Sequence, residues 1–249
     1  VTTCRAPVGA VIFDWGGTLT PWRTIDLAAQ WRVFAEALHA DADDLAAAAE
    51  LAQAILAAEQ RAWERGRTSH ESARLEEILT DAGVDPAHPA LTAAHAAYEG
   101  FWEPYTRTDP LVRPVWEWLR GTGIRVGVLS NTIWSRDFHR AVFARDGVLH
   151  LLDADVYSSE IEWTKPHPGA FLAAAEAVGV EPEACVYVGD RLFEDVHGPQ
   201  QVGMRAIWVP HSEIPEEQRV DVAAEPDAVA HNLAEVVGIV TGWLARDGR

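Results

Sequence analysis

The side chains able to do chemistry are concentrated where apolar runs stop. The run VGAVIF at residues 8–13 ends on Asp14, and Gly16, Gly17 and Thr18 follow. A second run, IRVGVL at 124–129, ends on Ser130 and Asn131. A third, ACVYV at 184–188, ends on Gly189 and Asp190, with Glu194 and Asp195 close behind. The sole lysine, Lys165, stands in the stretch TKPHPGAF. An aspartate at a strand end can attack phosphorus and carry the phosphoryl group as a mixed anhydride. Attack of one anion on another needs neutralising charge. Mg²⁺ supplies such charge and prefers a few carboxylates plus water and substrate oxygens, for which Asp14, Asp190 and Asp195 are the candidates. Ser130 and Asn131 offer a hydroxyl and an amide to phosphate oxygens, and Lys165 offers a point charge.

These residues need elements to hold them. After residues 8–13 the pattern changes: residues 26–105 are alanine-rich and predict about four helices with no strand. Val33, Phe34 and Leu38 form one apolar stripe there, and Leu51, Ile55 and Leu56 another. The serines and acid of Ser69, Glu71 and Ser72 predict a helix start before ARLEEIL. From residue 112 onward helices and strands alternate. Helices are expected over 112–120, 136–144, 168–178, 193–202 and 228–244, with strands over 124–129, 154–157, 184–188 and 205–209. Alternation of this kind predicts an α/β, Rossmann-like doubly wound parallel sheet core with an inserted all-helical cap domain. The expected division is a core of residues 1–22 and 107–249 and a cap of residues 23–106. Ligands of such sheets bind beyond the carboxyl ends of the strands, where Asp14, Ser130-Asn131 and Gly189-Asp190 fall.

Composition narrows the partners. The formal net charge is −18 over 249 residues. That field repels nucleic acid and anionic membranes, so a small-molecule phosphorylated substrate, drawn in by local positive charge, is the expected partner. No apolar run is long enough to span a bilayer, and the first residues lack a signal-peptide layout, so a cytoplasmic location is expected. Cys4 and Cys185 are too few for a disulfide framework or a zinc site, and the ten histidines lack a paired metal spacing. Most of the eleven tryptophans, among them Trp22, Trp31, Trp63, Trp102, Trp116 and Trp118, are expected to be packing residues. The acids at 41–44 read as a helix start, and residues 211–226 as a surface loop. Oligomeric state is not readable.

Each feature alone has an ordinary explanation: a turn at DWGGT, a helix cap at Ser130-Asn131, a solvated lysine, a turn at Asp190. Their order at successive strand ends is what singles them out. In that order VIFDWGGTLT, VGVLSNT, TKPHPGAF and VYVGDRLFEDVHG closely resemble the four motifs of the haloacid dehalogenase (HAD) superfamily, in its helical-cap branch. The resemblance covers residues 8–209; the cap matches only in position and helical character. It implies a Mg²⁺-dependent phosphatase working through an aspartyl-phosphate. Asp14 would be the nucleophile, and Lys165 would bridge it to the phosphate. Thr18 would steady the loop, and Ser130, with Asn131 beside it, would bind the transferring phosphate. Asp14, the Gly16 carbonyl and Asp190 would hold Mg²⁺, with Asp195 in support; Glu194 is a weaker match for that last part.

One position departs from the pattern. Phosphatases of the family carry a second aspartate two residues after the nucleophile, which protonates the leaving oxygen. Here that residue is Gly16, which keeps the carbonyl and loses the carboxyl. General acid–base help is worth roughly 10²–10⁴-fold. The expectation is a slow enzyme on alkyl phosphates, or one suited to acyl or aryl phosphates, unless His70, His95 or Tyr98 stands in for the acid or Trp22 and Arg23 serve as positioning groups. Two alternatives follow from Gly16: a metal-independent dehalogenase, or a pseudo-enzyme that binds a phosphate ligand without turnover.

Overall fold

A computed structural model of the chain describes residues 5–21, 23, 25–40, 44–210, 220 and 222–247. Cys4, Trp22, the acids at 41–43 and most of the loop at 211–226 lie outside these residues. The first strand, β1 (Ala10–Phe13), is wholly buried. Four helices follow: α1 (Leu27–Leu38), α2 (Leu45–Ser69), α3 (Leu75–Asp81) and α4 (Leu91–Trp102). Then come α5 (Val112–Gly121), β2 (Arg125–Ser130), α6 (Arg136–Arg145), β3 (Ala154–Tyr157), α7 (Pro168–Val178) and β4 (Cys185–Gly189). A π-helical turn, Leu192–His197, leads into the short α8 (Gly198–Gln200), and β5 (Arg205–Trp208), β6 (Ala228–Val229) and α9 (Leu233–Asp247) complete the chain.

The strands lie in the order β3-β2-β1-β4-β5-β6, and every pairing is parallel. Strand periodicity divides their side chains between two faces. Val11 and Phe13 of β1, with Val126, Val128, Val186 and Val188, join one apolar cluster. Ala10 and Ile12, with Leu129, Cys185 and Tyr187, join another, closed by Phe171, Ala174 and Val178 of α7. Helices α5 and α9 pack together over the first face. The doubly wound parallel sheet expected from the alternation is therefore present.

Local signals explain the starts of four helices and the end of one. The Asp26 carboxylate accepts hydrogen bonds from the Ala28 and Ala29 amides at the start of α1, and Asp44 accepts from Ala47 at the start of α2. Ser135 caps α6. His167 caps α7 ahead of Pro168, and that helix stops at Gly179 in the left-handed region. Three expectations need correction. Residues 228–229 are a strand, not the start of the last helix, which begins at Leu233. The helix expected over 193–202 is a π-helical turn plus α8. Ser69 and Ser72 do not start α3; Arg74 precedes its first residue, Leu75.

Among the inserted helices, α1 packs on α2 and α4, and α3 packs on α2. Trp31, Phe34, Ile55, Leu75, Ile78 and Tyr98 belong to the same continuous apolar cluster as Phe13 and Val128 of the sheet, and Trp15, Leu19, Ile133 and Trp134 are members of it too. Trp31 and Trp116 are fully buried, in keeping with packing roles.

Candidate active site

Asp14 follows the last residue of β1, and its amide donates to the Val188 carbonyl of β4 at 2.8 Å. The chain then turns sharply. The Thr18, Leu19 and Thr20 amides all point to the Trp15 carbonyl, at 3.3, 2.9 and 3.1 Å. That turn requires Gly17 at φ 85°, a conformation nearly closed to residues with a Cβ. Gly16 has no such constraint: a methyl group built on it would meet nothing within 4 Å. The fold thus leaves open space where the family pattern has its second aspartate.

Lys165 reaches this point from the loop between β3 and α7. Its ammonium lies 2.6 Å from Asp14 Oδ1, 2.7 Å from Asp195 Oδ1 and 2.9 Å from the Tyr187 hydroxyl. Three acceptors match the three donors of an ammonium. Tyr187 in turn donates to the Leu129 carbonyl at 2.7 Å, tying the lysine to the end of β2. Asp195 fixes the other side: its second oxygen accepts from the Arg191 amide at 3.0 Å. Gly189 makes room for it, since a Cβ there would sit 2.4 Å from the Asp195 side chain. Asp195, not Glu194, is the acid brought to Lys165. Asp190 accepts from the Thr18 hydroxyl at 3.4 Å.

Two residues differ from the simplest expectation. Asn131, expected on the phosphate, spends both ends of its amide on the main chain of Lys165. Its Oδ1 accepts from the Lys165 amide at 2.7 Å, and its Nδ2 donates to the Lys165 carbonyl at 2.9 Å. The Thr18 hydroxyl is directed to an acid side chain. Ser130 ends β2 and is buried. Tyr187 was missed by sequence reasoning, because an aromatic residue inside an apolar strand reads as core. Of the residues proposed to make up for the missing acid, Trp22 lies outside the described residues and His70 is half-buried with its ring 6.1 Å from that of His167; the other three are committed elsewhere or exposed. The Tyr98 hydroxyl accepts from Trp134 Nε1 at 2.9 Å and its ring stacks on Trp31; His95 packs edge-on against Phe34; Arg23 is exposed.

The electrostatics are those of a site with too much negative charge. Asp14, Asp190 and Asp195 each offer an oxygen within 4.8 Å of the others, and all three are buried. Lys165 is the one ammonium among them, and it bridges Asp14 and Asp195. Burial pushes Asp14 up to about 7, and the carboxylates of Asp195 and Asp190 add to the rise against the opposing pull of Lys165. Burial works against the charge on Lys165, but Asp14 and Asp195 outweigh it and hold the ammonium charged. Hard oxygen donors with a surplus of negative charge are what a small dication such as Mg²⁺ prefers, so the residues present fit that ion.

Comparison with known proteins agrees with this layout. Residues 8–203 match the family described as haloacid dehalogenase-like hydrolase. Among curated relatives, the glyceraldehyde 3-phosphate phosphatase of Methanopyrus kandleri is 33% identical over 132 residues, 53% of this chain and 56% of that protein. The phosphoserine phosphatase of Thermus thermophilus is 34% identical over 117 residues, 47% of this chain and 45% of that protein. The chain thus spans about half the length of the curated relatives it matches. Whole-length likeness comes from crystal structures. A HAD phosphatase from Thermococcus onnurineus superposes with a TM-score of 0.64 at 24% identity, covering 94% of this chain and 99% of that one. A 2-haloacid dehalogenase from Pseudomonas syringae gives 0.65 at 24% identity, covering 95% and 99%. At that identity the two structures speak to fold alone, but the family match runs from the strand before Asp14 past Asp195 and so takes in the whole constellation. The chain belongs to the haloacid dehalogenase-like hydrolase family.

Proposed function

We propose that the protein is a Mg²⁺-dependent phosphatase acting on a small phosphorylated metabolite in the cytoplasm through an aspartyl-phosphate on Asp14. Residues 1–22 and 107–249 would be its core and residues 23–106 its cap. The observation that carries this reading is the Lys165 ammonium at 2.6 Å from Asp14 Oδ1, inside a buried trio of carboxylates. Asp14 attacks phosphorus, and the leaving oxygen departs. Water then hydrolyses the mixed anhydride and regenerates the carboxylate. Lys165 orients the attacking oxygen and balances charge on the phosphoryl group. Ser130, at the end of β2, would bind the transferring phosphate, and Thr18, whose hydroxyl donates to Asp190, would steady the loop beside it. Asn131 acts by fixing the Lys165 main chain, and Asp195 and Tyr187 by fixing its ammonium. Asp14, Asp190 and the Gly16 carbonyl, with Asp195 in support, would hold Mg²⁺, which supplies the charge that lets one anion approach another.

No carboxyl stands at position 16 to protonate the leaving oxygen. Acyl and aryl phosphates, whose leaving groups are stable as anions, are therefore the favoured substrates. The acid trio supports a phosphatase over a metal-independent dehalogenase, which has no use for surplus carboxylates. A screen of acyl, aryl and alkyl phosphates with and without Mg²⁺ tests the reading. Turnover should need Mg²⁺, should favour acetyl phosphate and p-nitrophenyl phosphate, and should vanish in Asp14→Asn. Turnover of either substrate retained by that variant would exclude Asp14 as nucleophile. Phosphate binding without turnover anywhere on the panel would favour the pseudo-enzyme.

A further inference from the structure

One segment of the insert is sewn to the loops that carry the site. After α2 the chain passes through His70, the single non-glycine residue with positive φ (57°) among the described residues. That turn lays the next residues antiparallel to the stretch before Lys165, with Glu71 and Trp163 as bridge partners. The Thr164 amide donates to the His70 carbonyl at 3.0 Å, and the Ser72 amide to Glu162 at 3.4 Å. The Ser72 hydroxyl donates to the Ile161 carbonyl at 2.7 Å, and Arg74 Nε to the Ser159 carbonyl at 2.8 Å. The Leu75 amide donates to the Ile133 carbonyl at 3.0 Å.

Both core stretches held this way carry site residues. Thr164 precedes Lys165, and Ile133 stands two residues after Asn131, whose amide clasps the Lys165 main chain. If the insert swung away at this seam, the carbonyls of Ser159, Ile161 and Glu162 would lose these donors. Leu75 would part from Ile133 and Trp134 in their shared apolar cluster. The loop that aims Lys165 would lose its strand partner.

We propose that residues 70–75 of the insert stay docked through the whole catalytic cycle, and that Ser72 and Arg74 are positioning residues for Lys165. The insert is then a fixed buttress of the site along this seam, and substrate enters without the seam parting. The inference rests on the phosphatase reading for its catalytic arm only.

The hydrogen bonds flanking Glu71 and Trp163 make them a non-hydrogen-bonded antiparallel pair. Such pairs have Cα atoms about 4.5 Å apart, within disulfide reach. The test is Glu71→Cys/Trp163→Cys in a Cys4→Ser background, assayed on p-nitrophenyl phosphate with Mg²⁺ in oxidised and reduced forms. The oxidised form should keep kcat/KM within about twofold of the reduced form. A loss of tenfold or more that reductant restores would show that the seam must open, and would overturn the proposal. For positioning, Arg74→Ala should lower kcat several-fold with little change in KM, and Arg74→Lys, which can still reach the Ser159 carbonyl, should recover most of it. An unchanged kcat in Arg74→Ala would remove Arg74 from the role. Amide hydrogen exchange at Ser72, Leu75 and Thr164 in the wild-type chain reads docking without any activity. Protection close to that of β1 supports the seam, and exchange at loop rates overturns it. A chain that turns over nothing but shows that protection would leave the docking standing and the phosphatase reading lost.

Discussion

Gly16 is the residue at which fold and chemistry separate most clearly. Its φ lies outside the left-handed region, and a Cβ there would meet no atom within 4 Å. The backbone and the first side-chain carbon therefore raise no obstacle to an aspartate, beside an Asp14 already pushed up to about 7 by burial. Gly16→Asp should raise kcat/KM for alkyl phosphates by ten- to a hundredfold, toward the roughly 10²–10⁴-fold worth of general acid–base help. Acyl phosphates, whose leaving groups need no proton, should gain little. A steady-state comparison of the two substrate classes in the variant and the wild type is the measurement. Equal gains on both would mean that the aspartate acts on something other than the leaving oxygen. No gain, with Mg²⁺ still bound, would mean that the site lacks more than a proton donor.

At the scale of elements, α6 shows how a buried ionisable group couples packing to pH. His139 of α6 is fully buried, stacked on Tyr157 of β3 at 4.1 Å and edge-on to Trp15 of the Asp14 turn at 4.6 Å. Burial among these rings lowers its pKa to about 3. The folded chain therefore stays neutral at this site while the unfolded chain takes up a proton below about pH 6.5. The sign follows: stability is full above pH 6.5 and is lost as pH falls toward 3, by about 1.4 kcal/mol per unit. Urea unfolding at pH 6.5 and 4.5 should show His139→Phe losing less stability than the wild type, by about 2–3 kcal/mol. Coincident losses would mean that the imidazole is not held neutral. The same scale explains what was legible in the sequence. Asp14, Asp190, Asp195 and Lys165, which the structure brings together, were legible because the acids follow the apolar runs of β1 and β4 and Lys165 is the sole lysine, in a stretch that resembles a family motif. The two strands flanking β1 declared themselves by the apolar runs VGVL and ACVYV. Tyr187 and the two-faced amide of Asn131 were not legible, because their roles depend on partners dozens of residues away. The seam at 70–75 was hidden for the same reason: Ser72 looked like a helix start, and its actual partner is Ile161. The strand β6, only two residues long, has no period to detect.

For the whole molecule, charge is the dominant fact. A net −18 destabilises any compact state by self-repulsion, and the buried trio of Asp14, Asp190 and Asp195 concentrates that repulsion around a single ammonium. A dication placed there relieves it in the folded state alone, since the unfolded chain does not hold the three acids together. At a hundred times its dissociation constant, such an ion adds about 2.7 kcal/mol. For a chain of this size that corresponds to a rise in Tm of roughly 5–10 °C. General screening of the −18 charge by salt would also raise Tm, so the comparison must be made at matched ionic strength with NaCl. The wild type should show a Mg²⁺ increment above the NaCl control. Asp190→Asn, which removes one ligand and one charge, should lose that increment while keeping the general salt effect. A Mg²⁺ increment equal in the two proteins would place the ion on the acidic surface and away from the trio. That outcome would detach the metal from Asp14 and Lys165, and with it the neutralising charge on which attack by one anion on another depends.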